Sequence, residues 1–140
     1  MFIDTVFLDK LSRQAKESPR LRFAYDLRTT PKDNSQRMLN ALEPGTIMPI
    51  HRHRNTSETM VMVRGKLIER FYNNKGEVVE ERLMVPLQFQ ISDSESQEIC
   101  SVVQIPLGQW HSLEVLESGT IIFEAKDGAY EPLGDEDILL

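Results

Sequence analysis

From Leu21 onward the chain is a succession of short runs rich in β-formers, each cut by Gly, Pro or Asn. That pattern restricts it to a β-sandwich or a barrel. The runs are Arg37 to Leu42, Glu58 to Val63, Leu67 to Tyr72, Val78 to Val85, Ile99 to Ile105, His111 to Leu116 and Thr120 to Ala125. Asn73-Asn74-Lys75-Gly76 reads as a hairpin turn, because Asn and Gly tolerate positive φ. Pro86 stops one run, and Glu117-Ser118-Gly119 turns between the last two. Strands do not alternate with helices, which argues against a βαβ fold. The exception is the N-terminus. Leu8, Leu11 and Ala15 recur at helical spacing between Asp4 and Ser18, and Pro19 fits the end of that helix. So short a helix must dock on something to persist.

With 140 residues, 40% of them apolar, the chain has material for one core. The expected organisation is a single mainly β domain: a helix over about 4–18, a barrel over about 21–127, and an acidic tail over 130–140 lying solvated on the surface. The polar stretch Ser92 to Gln97 is expected to be a surface loop. A net charge of −6 disfavours nucleic acid and anionic membranes as partners. No apolar run approaches the ~20 residues of a membrane span. The opening Met1-Phe-Ile-Asp-Thr5 has no basic region before an apolar one, so no signal peptide is read there. Cys100 has no second cysteine to pair with, which suits a reducing, cytoplasmic setting.

The chain has three histidines, His51, His53 and His111. His51 and His53, two apart in a strand, face the same way. Glu58 has the wrong parity for that strand, so Arg54-Asn55-Thr56-Ser57 must turn and let Glu58 open the next one. Glu58, Met60 and Met62 then share a face, which puts the carboxylate above an apolar floor if that face is interior. His111 alternates with Leu113 and Val115, the apolar side of its strand. Three imidazoles and a carboxylate suit one divalent ion: Fe, Mn, Ni, Co or Zn. Taken alone, a His-x-His pair in a strand is often just exposed or hydrogen-bonded.

The spacing around these residues matches a known motif. Gly45, His51, His53, Glu58 and Gly65, with Pro49 before the first His, resemble the first cupin motif at every position. Pro106, Gly108 and His111 resemble part of the second, with Cys100 and Val115 standing where that motif has Gly and Asn. The resemblance implies a double-stranded β-helix, or jelly-roll barrel, with the metal held by His51, His53, Glu58 and His111. A closer similarity is to the WbuC family of cupin-fold metalloproteins. It rests on Arg20 to Phe23, Gln36 to Asn40, Glu43 to Thr46, His51 to His53, Arg64-Gly65 and Glu124 to Gly128. Members of that family occur among bacterial genes for surface polysaccharide (O-antigen) assembly.

A first reading is a metalloenzyme acting on a sugar, sugar phosphate or nucleotide sugar, by isomerisation or epimerisation, with Glu58 or a metal-bound water moving protons. Phosphate would need cations at the mouth. Arg37, Arg52, Arg54 and Arg64 lie on or beside the ligand strands. Arg52 has the parity to point outward, and Arg37 and Arg64 are the expected substrate contacts. The alternatives are a binding cupin without chemistry and an Fe(II) dioxygenase. A homodimer is also expected, because open two-sheet structures usually cover their edges and the Thr59, Val61, Val63 face needs a cover.

Overall fold

The computed structural model describes residues 1–89 and 99–140, so the stretch Ser92 to Gln97 lies outside the described residues. The chain begins with α1 (Thr5–Glu17). Asp4 caps its N-terminus, accepting from the Phe7 N–H at 2.9 Å, and Ser18 ends it just before Pro19. Among the described residues eleven strands follow: β1 (Arg22–Asp26), β2 (Ser35–Leu42), β3 (Ile50–His51), β4 (Glu58–Arg64), β5 (Leu67–Tyr72), β6 (Val78–Met84), β7 (Ile99–Cys100), β8 (Val102–Ile105), β9 (Trp110–Val115), β10 (Thr120–Asp127) and β11 (Ile138–Leu139).

They form two sheets, one in the order β1-β2-β10-β4-β8 and the other in the order β11-β3-β9-β5-β6-β7. The pairings are antiparallel except β6 with β7. The sheets face each other. Leu42, Met60, Met62 and Ile122 of one pack with Leu67, Met84 and Val115 of the other in a single buried cluster. This is the jelly-roll barrel with a short N-terminal helix that the motif implies.

The helix docks where an unpartnered apolar sheet face would otherwise meet water. Leu8, Leu11 and Ala15 pack against Leu39, Ala41 and Ile121 on the outer face of the first sheet, with Val63 at the margin. Burying a leucine such as Leu11 (1% exposed) contributes roughly 2 kcal/mol. Among the described residues no helix is long and apolar enough to cross a membrane.

The C-terminal tail is more organised than its composition implies. It runs over the surface, then pairs β11 with β3, registering Ile138 with His51. Asp137 Oδ1 accepts from Arg52 Nε at 3.1 Å and from Arg54 Nε at 2.8 Å, and Glu136 pairs with Arg54 at 2.9 Å. The acids are there to meet two arginines on the segment that carries the histidines.

Candidate metal centre

Two short elements bring the histidines together. β3 is only two residues long, but it pairs with β9 so that His51 stands directly opposite His111. Their ring centroids are 4.2 Å apart. His53 follows two residues later, 5.2 Å from the His51 ring and 5.7 Å from that of His111. The Gly108 N–H donates to the His53 carbonyl at 2.8 Å, tying the Pro106–Gly108 turn to the first histidine pair. Gly108 has φ +73°, a conformation glycine adopts without strain. One ligand atom from each ring lies within 4.8 Å of the other two.

The rings are aimed. His51 Nδ1 lies 2.9 Å from the Pro49 carbonyl and His111 Nδ1 lies 3.0 Å from the Gln109 carbonyl. A carbonyl only accepts, so each Nδ1 carries the proton and each Nε2 keeps a free lone pair. This is how metal-binding histidines are ordinarily oriented. Burial, then the neighbouring His111, pushes the His51 pKa down to about 4, so this ring is neutral at ordinary pH. Neutral is the form that binds a metal.

Glu58 opens β4 and is buried, 5% exposed. Its Oε2 lies 3.4 Å from His53 Nε2 and 3.5 Å from His111 Nε2, and it has no hydrogen-bond partner. Burial alone would raise its pKa, but the His111 and His53 imidazoles and then Lys126 outweigh it and hold the carboxyl well below the usual range. An anionic oxygen buried without a partner and facing the His53 and His111 imidazoles, beside the three clustered rings, is what a cation at this point would satisfy, so the residues fit a divalent ion.

The site opens into a cavity of about 930 Å³ inside the barrel. The substrate contacts expected from the sequence are not brought to it. Gln36, Asn40 and Leu42 line the cavity, so Arg37 has the opposite parity; it pairs with Asp33 at 3.5 Å and donates to the Ser35 carbonyl. Arg64 ends β4 opposite a bulge at Ile121/Ile122 and runs to the helix, where it meets Asp9 and Ser12, each at 2.9 Å. Arg52 does turn from the histidines, stacking 4.4 Å over the Trp110 ring. The lining contains two acids that reading the sequence passed over, Glu69 and Glu124, together with Lys126. Each shares its strand parity with apolar core residues: Glu69 with Leu67, and Glu124 and Lys126 with Ile122. A charge on an apolar face was the available signal.

A family model described as a domain of unknown function, DUF6016, matches residues 3–84. No curated protein matches the chain. Solved structures do. KdgF from Halomonas sp. is 14% identical over 81% of this chain and 85% of its own, with a TM-score of 0.58. The capsular polysaccharide assembling protein CapF from Staphylococcus aureus is 23% identical over 87% of this chain and 32% of its own, with a TM-score of 0.59. The Bacillus subtilis oxalate decarboxylase, with its Mn(II) centres, is 19% identical over 84% of this chain and 27% of its own, with a TM-score of 0.54. The chain thus spans most of KdgF but about a third or less of the other two. At these identities the likeness shows the fold, which is that of the cupins.

Proposed function

This chain belongs to the DUF6016 family, and we propose that it is a metal-dependent cupin acting on a sugar or nucleotide sugar, with His51, His53, Glu58 and His111 as the ligands. One observation carries the metal reading. The Glu58 Oε2 is buried without a hydrogen-bond partner among convergent imidazoles, two of which are fixed through Nδ1. A bound Fe, Mn, Ni, Co or Zn ion would supply Lewis acidity at a carbonyl or adjacent hydroxyls.

The chain's own residues supply the proton chemistry. Burial, then the Glu58 charge, raises the Glu124 pKa to about 8, so Glu124 holds a proton at neutral pH beside the Glu58 carboxylate. A donor and an acceptor side by side are what isomerisation or epimerisation needs. In this reading Glu58 serves both as a ligand and as the proton acceptor. The sugar substrate, and a place in surface polysaccharide (O-antigen) assembly, are supported by the resemblance to the WbuC family and by the likeness to CapF. The same reading takes the protein to be cytoplasmic and homodimeric. Thr59 and Val61 remain half-buried on the outer face, beside an edge strand where Val102 is 52% exposed. Light scattering that finds only a monomer at all concentrations would reject the dimer.

The test is elemental analysis of the purified chain followed by turnover assays on nucleotide sugars, with and without oxygen. The proposal expects about one divalent ion per chain and oxygen-independent conversion. Oxygen uptake by the Fe(II) form would instead assign a dioxygenase, and binding without turnover a binding cupin. Absence of any stoichiometric metal would defeat the reading altogether.

A further inference from the structure

Two side chains face the cavity with no hydrogen bond or ion pair among the described residues. Glu69, on β5, is 3% exposed, and both carboxyl oxygens are buried without a hydrogen-bond partner. Its neighbours in register are Leu113 and Arg82, and Arg82 turns away to Glu80. Leaving a buried polar group unsatisfied costs stability, so its retention calls for a partner supplied from outside. Lys126, on β10 in the opposite sheet, stands in register with Glu58 and Gln36 and lines the same cavity. Among the described residues no carboxylate lies within ion-pairing distance of it. Arg52 and Arg54, at the same cavity, are already taken by Asp137 and Glu136. Lys126 thus makes no ion pair among the described residues, and its charge acts on Glu58 and Glu124 only beyond ion-pairing distance, in a chain of net charge −6.

We propose that the cavity takes an anionic, polyhydroxylated ligand, a sugar acid or a sugar phosphate, whose charged group is held by Lys126 and one of whose hydroxyls is held by the Glu69 carboxyl. This rests on the sugar reading above and narrows it to charged sugars. The division of labour follows from chemistry. An ammonium is a point charge suited to carboxylate or phosphate. Burial, then the charges of Glu58 and Glu124, pushes the Glu69 pKa well above the ordinary range, so the carboxyl keeps its proton and both donates to and accepts from a hydroxyl. The two residues sit on opposite walls of the barrel, so a ligand bridging them lies across the cavity that the metal ligands also face.

The experiment is calorimetric titration of the metal-loaded full chain with galacturonate, glucose 1-phosphate and neutral methyl galactoside, with metal content measured alongside. Which anionic probe binds distinguishes a sugar acid from a sugar phosphate. The unaltered chain should bind at least one anionic probe about tenfold or more tightly than the neutral one, the difference a charge-assisted hydrogen bond confers. Lys126→Met should abolish that preference, and Lys126→Arg should restore most of it. Glu69→Met should weaken every probe about tenfold while raising the melting temperature, because an unsatisfied carboxyl is replaced by an apolar group of similar size. Glu69→Gln, which keeps hydrogen-bonding atoms in place, should bind within a few fold of the unaltered chain. Probes that bind but ignore both Lys126→Met and Glu69→Met would overturn this inference and leave the sugar reading standing. A metal-loaded chain that binds none of the three would overturn both.

Discussion

A buried carboxylate survives only if its charge is compensated, and the Oε2 of Glu58, beside His53 and His111, has no hydrogen-bond partner to do so. The ion that would compensate it depends on all four side chains. His51→Ala, His53→Ala and His111→Ala should each lower metal affinity by roughly 100-fold or more, beyond the range seen when an outer-shell partner is lost. Glu58→Gln should weaken it less, because the amide oxygen still donates but brings no charge. Elemental analysis after dialysis against a chelator reads both, and full occupancy in the three alanine variants would defeat the assignment. His51 and His53 were legible in the sequence because parity puts them on one face of a strand, while the joining of His111 and Glu58 to them was implied by the resemblance to the cupin motifs. Arg37 and Arg64 misled because closeness along the chain says nothing about which side of a strand a residue takes. Glu69 and Glu124 went unread because an acid on an apolar face looks like an interruption of the pattern until the cavity is seen.

Among the elements, the longer strands and α1 could be read to within a residue or two, since each is long enough to show a period and ends at Gly, Pro or a cap. β3 and β11, at two residues each, carry no period. Their existence is set by pairing, and so they became visible only in three dimensions. That pairing has consequences at the site. β11 lies along the His51 strand, held by the Arg52 and Arg54 contacts to Asp137. Asp137→Asn should cost roughly 1 kcal/mol of stability, the scale of partly exposed ion pairs. It should also let a chelator strip the metal several times faster, because residues 128–134, Glu136 and Asp137 border the cavity. An unchanged release rate would mean that this segment does not govern access. The turn between β4 and β5 is less forgiving. Gly65 has φ +90°, and a Cβ built there would lie 2.5 Å from the Thr120 Cα, a backbone atom that cannot swing aside. Gly65→Ala should therefore destabilise by at least ~3 kcal/mol, in the upper range for single substitutions, and a urea melt within ~1 kcal/mol of the unaltered chain would contradict the close approach.

At the scale of the whole molecule Glu69 and Glu124 pull stability one way and His51 the other as pH changes. His51 titrates near 6.5 when unfolded and at about 4 when folded. Between those values the unfolded chain binds a proton that the folded one refuses, so this group's contribution is lost as pH falls from about 6.5 toward 4. Glu124 has the reverse sign. Its pKa rises from 4.5 to about 8 on folding, so the folded chain holds the extra proton across that range and stability is lost as pH rises through it. Glu69 is shifted the same way and adds to the loss. The metal-free protein should therefore be most stable in mildly acidic solution, with its melting temperature falling on either side. Glu124→Gln should flatten the alkaline side and leave the acid side in place. Metal changes the balance. It takes the imidazoles in their neutral form and places positive charge beside Glu58, whose negative charge is one reason Glu124 is protonated. The rise in melting temperature on adding excess Zn(II) should thus be larger at pH 8 than at pH 5, since protons compete with the ion for imidazole nitrogen. His51 contributes little to that competition above pH 5, since burial has already cleared it of its proton. An equal rise at pH 5 and pH 8 would mean that the ion is not held by imidazole, and the assignment of the three histidines would have to be abandoned.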